Sequence, residues 1–205
     1  MAPNRSEPFQ LALGELRRRL TAGVYPSDAR LTAGALAGEL GLSPTPMREA
    51  LARLTGEGLL EDRRGQGFFL RRLSARDVAD LYALNLLHLE LALAGGRRPD
   101  LSGAAAAPPE ATGTSDAAVA ASDRLFARWV ADAGGAVLSR SFLRVQGQLA
   151  PVRRLEPRYL VNLEGEYLEL ARDAAIVSRV SRLRRYFRRR LRLAAQLAQG
   201  LEPRP

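Results

Sequence analysis

Apolar residues recur at helical spacing from the beginning of the chain. The repeat consists of Phe9, Leu13, Leu16 and Leu20, which stand three or four positions apart. This is the period of one face of an α-helix. The segment 23–26, Gly-Val-Tyr-Pro, then interrupts the pattern with residues that do not continue a helix. The sequence therefore predicts a first amphipathic helix ahead of this segment.

Two further helices are predicted, separated by a turn of three residues. Thr32 is placed to cap the first of them, and Gly41 is placed to end it in the left-handed conformation. Ser43 can cap the following helix through the amide of Thr45, and the prolines of that first turn do little harm there. The apolar positions of this third helix are Met47, Ala50, Leu51 and Leu54.

After residue 58 the pattern becomes that of a β-hairpin. Segments 59–62 and 68–71 flank the turn 63–67, which reads Arg-Arg-Gly-Gln-Gly. Strands this short are not stable alone, so we expect them to pack against the helices.

A second, all-helical domain is predicted to begin at residue 74. Leu73 with Val78 matches a hydrophobic staple, and Ser74 with Asp77 matches a capping box. The expected domains are therefore 1–73 and 74–205, in a mainly α fold. A first body helix should end near residue 95, before a flexible loop near 97–116 that is rich in Ala, Pro and Gly. Further helices are expected at about 116–133, 136–155, 158–172 and 174–199.

Charge adds an expected partner to this picture. The chain of 205 residues has a formal net charge of +9, and all 31 basic residues are arginine. Arginine favours anions that accept paired hydrogen bonds, so double-stranded DNA is expected. GC-rich codon usage would explain the preference for arginine over lysine, but it does not remove the charge. The lack of cysteine, of an apolar run near 20 residues and of an export signal favours a cytoplasmic protein without membrane contact.

Three helices followed by a hairpin have the layout of a winged helix-turn-helix. The third helix would enter the major groove, where Arg48 could bind guanine or phosphate and Thr45 a phosphate or a thymine methyl group. The arginines and glycines of the turn 63–67 would approach phosphates or a minor groove, although such a motif alone is more often a solvated turn. The candidate DNA-binding residues are Thr32, Ser43, Thr45, Arg48, Glu49, Arg53, Arg63, Arg64, Gly65, Gln66 and Gly67.

Residues 8–72 resemble the GntR family of bacterial regulators. The resemblance rests on the segments 22–31, 36–54, 57–59 and 64–67, which occur in the family's order and spacing. It implies a DNA-binding head and a body that binds an effector and forms a dimer. Gly34 and Pro44 stand where arginines of the family commonly contact DNA, whereas Thr45, Arg48 and Gly65 match the family pattern.

The body, more weakly, resembles the FadR-type branch, whose ligand domain is called FCD. Many such domains hold a metal ion with one aspartate and three histidines. Asp123 matches the aspartate, but Ala127, Asn162 and Tyr186 stand at the histidine positions. The chain has one histidine, His88, so we expect no transition metal and no cofactor. His88 itself is expected to be a partly buried, neutral structural residue.

Polar residues of the body are candidates for an effector pocket. The candidates are Asn85, Asp123, Asn162, Tyr167 and Tyr186. Asn85 stands where the family tends to carry an arginine that binds acidic effectors. Each residue is more often a core or surface polar group than a ligand contact. The arginines of segment 179–192 admit three interpretations: a solvated face, which we favour, a second DNA contact, or a membrane-surface helix.

We expect a repressor, located at the nucleoid, that binds its operator as a homodimer and is modulated by a small-molecule effector. The two-fold symmetry of a dimer requires that the operator be a palindromic inverted repeat. The alternative is an effector-independent or architectural DNA-binding protein whose body serves only dimerisation or partner binding. An enzyme is not expected, because the chain lacks cysteine and lysine, has one histidine, and contains no phosphate loop or nucleophile elbow.

Overall fold

The structure is a computed structural model that describes residues 6–95, 114–172 and 175–202. These residues form ten helices and three short strands, which confirms the prediction of a mainly α fold. The chain divides into two compact units, Met1–Leu73 with Leu201–Pro205, and Ser74–Gly200. We call residues 6–73 the head and residues 74–200 the body.

The head contains three helices and a small antiparallel sheet. Its elements are α1 (Ser6–Ala22), β1 (Arg30–Leu31), α2 (Ala33–Leu40), α3 (Pro44–Gly56), β2 (Leu60–Arg63) and β3 (Gly67–Leu70). The sheet order is β1-β3-β2, with Arg30 opposite Phe69 and Asp62 opposite Phe68. The sequence did not predict β1, because two residues are too short to show an alternating pattern.

One apolar core holds the head together. Leu16 of α1 and Met47, Ala50, Leu51 and Leu54 of α3 have no exposed surface. Their spacing places them on a single face of each helix, as the sequence predicted. Because α3 is fixed by this face, its opposite face lies outward.

The ends of α2 and α3 differ in part from the prediction. Gly41 ends α2 in the left-handed conformation, with φ of 63°, as expected. Thr32 and Ser43 occupy the N-cap positions, but neither side chain accepts a capping hydrogen bond, so the predicted capping bonds are wrong. One reason that Ser43 makes no capping bond is Pro46, which lacks the backbone amide that the Ser43 side chain could otherwise accept from. Both residues are exposed, and their hydroxyls are not used by the helix ends.

The body is a bundle of helices. Its elements are α4 (Ala75–Gly95), α5 (Ser115–Ala133), α6 (Ala136–Arg153), α7 (Glu156–Tyr159), α8 (Leu163–Ala171), α9 (Ile176–Arg192) and α10 (Ala194–Gly200). The predicted helix 158–172 is divided, because Asn162 adopts a left-handed conformation with φ of 59° ahead of α8. The predicted helix 174–199 is interrupted at Leu193. The predicted loop 97–116 lies outside the described residues, apart from its last three, which are the N-cap residue and the first two residues of α5.

Helix α4 is the central helix of the body. The Ser74 hydroxyl accepts the Asp77 amide at 3.1 Å, and the Asp77 carboxylate accepts the Ser74 amide at 2.9 Å, which is the predicted capping box. The helix packs against α5, α6, α9 and α10. Among the described helices it is the one long and apolar enough to cross a membrane, a criterion that the core helix of a bundle also meets.

Candidate nucleic-acid interface and the interior of the body

The outward face of α3 carries the predicted recognition residues. Thr45, Arg48 and Glu49 are exposed, on the side of the helix opposite the core residues. Ser43 is exposed just before the first turn. A helix that presents small polar and basic side chains at its N-terminal end fits the major groove.

The two arginines of α3 differ in their surroundings. Arg53 Nε donates to Glu57 Oε1 at 3.0 Å, and Arg17 of α1 approaches the same carboxylate at 2.5 Å. Arg48, by contrast, has no ion pair with any residue that the structure describes. Arg48 can therefore bind an external anion without breaking a contact, whereas Arg53 would have to leave Glu57.

The turn of the hairpin, which we call the wing, has the conformation that its glycines predict. Gly65 and Gly67 have φ of 74° and 101°, a region that favours glycine. The Gln66 amide donates to the Arg63 carbonyl at 2.7 Å. Arg64 lies exposed at the tip.

Arg63 is held against the head. It forms an ion pair with Asp28 and approaches Glu61 at 3.4 Å. Its guanidinium also lies 4.2 Å from the centre of the Phe69 ring. The hydrogen bond with Asp28 raises the pKa of Arg63. Of the two wing arginines, Arg64 is therefore the one available to an external anion.

Arg30 is a basic residue of this surface that the sequence did not single out. It is exposed in β1, and its Nε lies 3.9 Å from the position that a Cβ on Gly67 would occupy. The pairing of β1 with β3 brings it beside the wing. Arg30 is connected to the hairpin only through the two-residue strand β1. The sequence analysis did not predict this strand and therefore could not place Arg30 beside the wing.

The arginines between positions 17 and 64 thus separate into two groups. In one group, carboxylates of the head neutralise the side chains: Arg17, Arg18, Arg19, Arg53 and Arg63. Arg30, Arg48 and Arg64 are exposed and have no ion pair within the described part of the chain. These three lie on the recognition helix and around the wing, so the uncompensated positive charge is on the surfaces that a winged helix-turn-helix uses.

The interior of the body contains a charged network that the sequence did not predict. Arg153 of α6 and Arg190 of α9 are 1% and 0% exposed, and both bind the fully buried Glu156, at 3.0 and 2.9 Å. The Tyr82 hydroxyl donates to the same carboxylate at 2.7 Å. Burial acts to raise the pKa of Glu156, but the two arginines lower it overall. Local patterning missed this network because Tyr82 and Arg190 are far from Glu156 in sequence and arginine is usually exposed.

Two of the predicted pocket residues belong to this network. Asp123 approaches Arg153 Nε at 2.6 Å, and the Tyr186 hydroxyl accepts a hydrogen bond from Arg153 at 2.9 Å. The Arg190 guanidinium lies 3.3 Å from the centre of the Tyr186 ring. Burial raises the pKa of Tyr186, which keeps its hydroxyl neutral.

The other predicted pocket residues lie in different surroundings. Asn85 is fully buried, and neither its Oδ1 nor its Nδ2 has a hydrogen-bond partner among the described residues. Tyr167 is buried in α8. Asn162 is exposed, because it turns the chain into α8, so the structure does not bring it together with Asp123 and Tyr186 in the interior.

The side chains at the expected metal positions do not fit a metal ion. Ala127 offers no ligand, Asn162 is exposed, and Tyr186 and Asp123 both face the Arg153 guanidinium. Within the described residues no group of three His, Cys, Asp or Glu side chains could hold a metal ion. A divalent cation beside Arg153 would meet an existing positive charge.

His88 lies at the side of α4 that faces α6. Its Nε2 is 2.7 Å from the Ser141 hydroxyl, and its ring meets Phe142 edge-on at 6.4 Å. Burial lowers its pKa, against a smaller opposing effect of the Leu84 backbone. These contacts support the predicted neutral, structural role.

The arginines of α9 do not all lie on the solvated face. Arg179 and Arg190 are buried, and Arg190 pairs with Glu156 and Glu166 inside the bundle. Arg184 pairs with Glu90 at 2.6 Å. Arg185 and Arg188 are exposed, in agreement with the favoured solvated interpretation.

The comparisons with known proteins agree with the arrangement of the head. Residues 11–70 match the family described as "Bacterial regulatory proteins, gntR family". The Nta operon transcriptional regulator of Aminobacter aminovorans is 53% identical over 49 residues, which cover 24% of this chain and 23% of that protein. The HTH-type transcriptional regulator McbR of Escherichia coli (strain K12) is 33% identical over 92 residues, covering 43% of this chain and 42% of that protein. These matches span less than half of the relatives' length.

Solved structures resemble the whole fold. E. coli McbR/YncC has a TM-score of 0.67 at 18% identity and covers 95% of this chain and 98% of that chain. A putative transcriptional regulator GntR from Rhodococcus sp. RHA1 has a TM-score of 0.72 at 18% identity, with the same coverage. At this identity the likeness shows the fold alone.

Proposed function

Because residues 11–70 form a helix-turn-helix domain of the GntR family, we propose that this chain is a sequence-specific DNA-binding transcription regulator. It binds an inverted-repeat operator as a homodimer and acts as a repressor in the cytoplasm, at the nucleoid, without enzymic activity. The observation that carries the proposal is the distribution of charge in the head. Within the described residues, Arg48 on α3, and Arg64 and Arg30 at the wing, are uncompensated, whereas ion pairs within the head engage Arg17, Arg18, Arg19, Arg53 and Arg63.

These positions correspond to two kinds of contact. Arg48 would read a base edge or position the helix on a phosphate, with Thr45 and Ser43 beside it. Arg64 would bind the backbone or enter a minor groove, and the glycines on either side of Gln66 allow a close approach. We add Arg30 to the candidates and expect less from Arg63, which is already bound to Asp28.

A second copy of the chain is the proposed partner of the body. Leu84, Leu87 and Leu91 are 45%, 59% and 60% exposed, and their spacing of three and four residues forms one stripe along α4. An apolar stripe on the central helix of a bundle is expected to be covered by another surface. One head reads one half-site and an operator needs two, so we assign the stripe to the homodimer.

For the effector we propose only a chemical class of ligand. Asn85 is buried with unused hydrogen-bonding groups on α4, and a buried amide of this kind suits a neutral, hydrogen-bonding ligand. Asp123 and Tyr186 already bind Arg153, and Asn162 is exposed, so Asn85 is the better candidate. The alternative is an effector-independent protein whose body only forms the dimer.

A footprinting experiment on the DNA beside the gene tests the function. The full chain should protect one inverted repeat, and Arg48→Ala should lose this protection. Arg18→Ala is the matched control, because Arg18 is an exposed arginine on α1 that already pairs with Glu15. Protection spread evenly over the fragment would favour the architectural alternative. Occupancy that does not change with metabolites of neighbouring pathways would favour the effector-independent one.

A further inference from the structure

The guanidinium of Arg153 joins several helices of the body. Its Nε lies 2.6 Å from Asp123 of α5, and its Nη1 lies 3.0 Å from Glu156 of α7. The same Nη1 lies 2.9 Å from the Tyr186 hydroxyl of α9, and Nη2 donates to the Val119 carbonyl of α5 at 3.3 Å. A single cation on α6 therefore has acceptors on three other helices.

This arrangement has the properties of an ion-binding site. The cation is surrounded by two carboxylates, a phenol and a carbonyl, and its side chain is almost completely buried. A buried charge is tolerated only when it is paired and hydrogen-bonded. The groups that contact Arg153 include Asp123 and Tyr186, two of the four positions at which the resemblance implies metal ligands.

The charges of the network are distributed between the two arginines. Glu156 binds both Arg153 and Arg190, and Glu166 binds Arg190 at 2.9 Å. Asp123 faces Arg153 from the other side. Two guanidiniums and three carboxylates would leave one negative charge, but Arg189 also pairs with Glu166, at 2.5 Å. With three arginines for three carboxylates, the network does not require a further cation to compensate its acidic groups.

We propose that Arg153 serves as the internal cation of the body, so that an amino-acid side chain joins α5, α6, α7 and α9 where a metal ion would otherwise do so. The body then folds and functions independently of divalent metals. This inference is separate from the proposed DNA binding, because it concerns residues of the body only.

Thermal unfolding of the full chain, with and without metals, tests the proposal. Arg153→Met should lower the melting temperature of the body by roughly 10 °C, because it leaves Asp123 and part of Glu156 uncompensated. Arg154→Met is the matched control, since Arg154 is the adjacent arginine and is exposed, and it should change the melting temperature by less than about 2 °C. Adding Asp123→Asn to Arg153→Met should recover part of the loss, because it removes the uncompensated charge.

Metal titration provides the second measurement. The melting temperature of the wild-type chain should not change with EDTA or with zinc, manganese or nickel at about tenfold excess over protein. If Arg153→Met does not fold, Arg153→Lys should fold with an intermediate melting temperature, because it retains the charge but not the branched geometry. The proposal is overturned if EDTA lowers the melting temperature of the wild-type chain or if a metal raises it saturably. It is also overturned if the Arg153 variants lower the melting temperature no more than Arg154→Met does.

Discussion

Replacement of Arg48 by alanine is the most direct perturbation of the proposed recognition surface. The side chain is exposed on α3 and makes no ion pair in the described part of the head, so its removal should leave the free energy of unfolding within about 0.5 kcal/mol of the wild-type value. A bidentate arginine–guanine contact discriminates by about 1–3 kcal/mol. For each half-site this corresponds to a roughly 5-fold to 150-fold weaker affinity for the operator.

Fluorescence anisotropy with an operator duplex and a scrambled duplex measures this effect. Arg48→Ala should lose affinity for the operator and much less for the scrambled sequence. Arg53→Ala is a control on the same helix, because Arg53 is engaged with Glu57 and should lose less. Unchanged operator affinity in Arg48→Ala, or an equal loss in both variants, would refute the assignment of Arg48 to base recognition.

Four other variants test separate parts of the account. Arg64→Ala should weaken binding to every sequence and lower the slope of log affinity against log salt by about 0.9 per half-site, which a salt titration measures. Leu87→Arg should dissociate the dimer in sedimentation, while Leu168→Arg, an exposed leucine on α8 outside the stripe, should not. Glu156→Gln should destabilise the body at neutral pH, measured by urea unfolding, and the difference from wild type should shrink at acidic pH. The pKa of Glu156 is lowered on folding, so its contribution is present above its ordinary pKa of 4.5 and is lost as the pH falls through the folded value. Folding lowers the pKa of His88 from 6.5, so as the pH falls below 6.5 this histidine is protonated in the unfolded chain before it is protonated in the folded chain. The free energy of unfolding should therefore decrease below pH 6.5. Unfolding curves of His88→Gln should lack this part of the pH dependence.

The sequence predicted the head closely because local signals specify it. The periodic leucines of α1 and α3, the left-handed Gly41 and the glycines of the wing act within a few residues of one another. The residues whose surroundings the sequence did not reveal are those whose contacts depend on tertiary structure. Arg63 was a DNA candidate, but the fold brings Asp28 to it, and Arg30 was overlooked because β1 is only two residues long.

The interior of the body could not be predicted in the same way. Arg190 lies in an arginine-rich segment that suggested a wet helix face, yet it is buried against Glu156 from another helix. The sequence analysis placed Asn162 in the candidate effector pocket. In the structure its left-handed backbone lies at the surface between α7 and α8. Pairings across 34 positions of sequence, such as Arg190 with Glu156, leave no periodic signal.

Sequencing the genomic DNA fragments that the purified full chain retains is the most direct test of the central claim. The account predicts that the retained fragments share one inverted repeat, whose half-sites are lost from the fragments retained by Arg48→Ala. Retention of fragments without a common motif, or the same motif with both proteins, would contradict sequence-specific recognition by this face of α3.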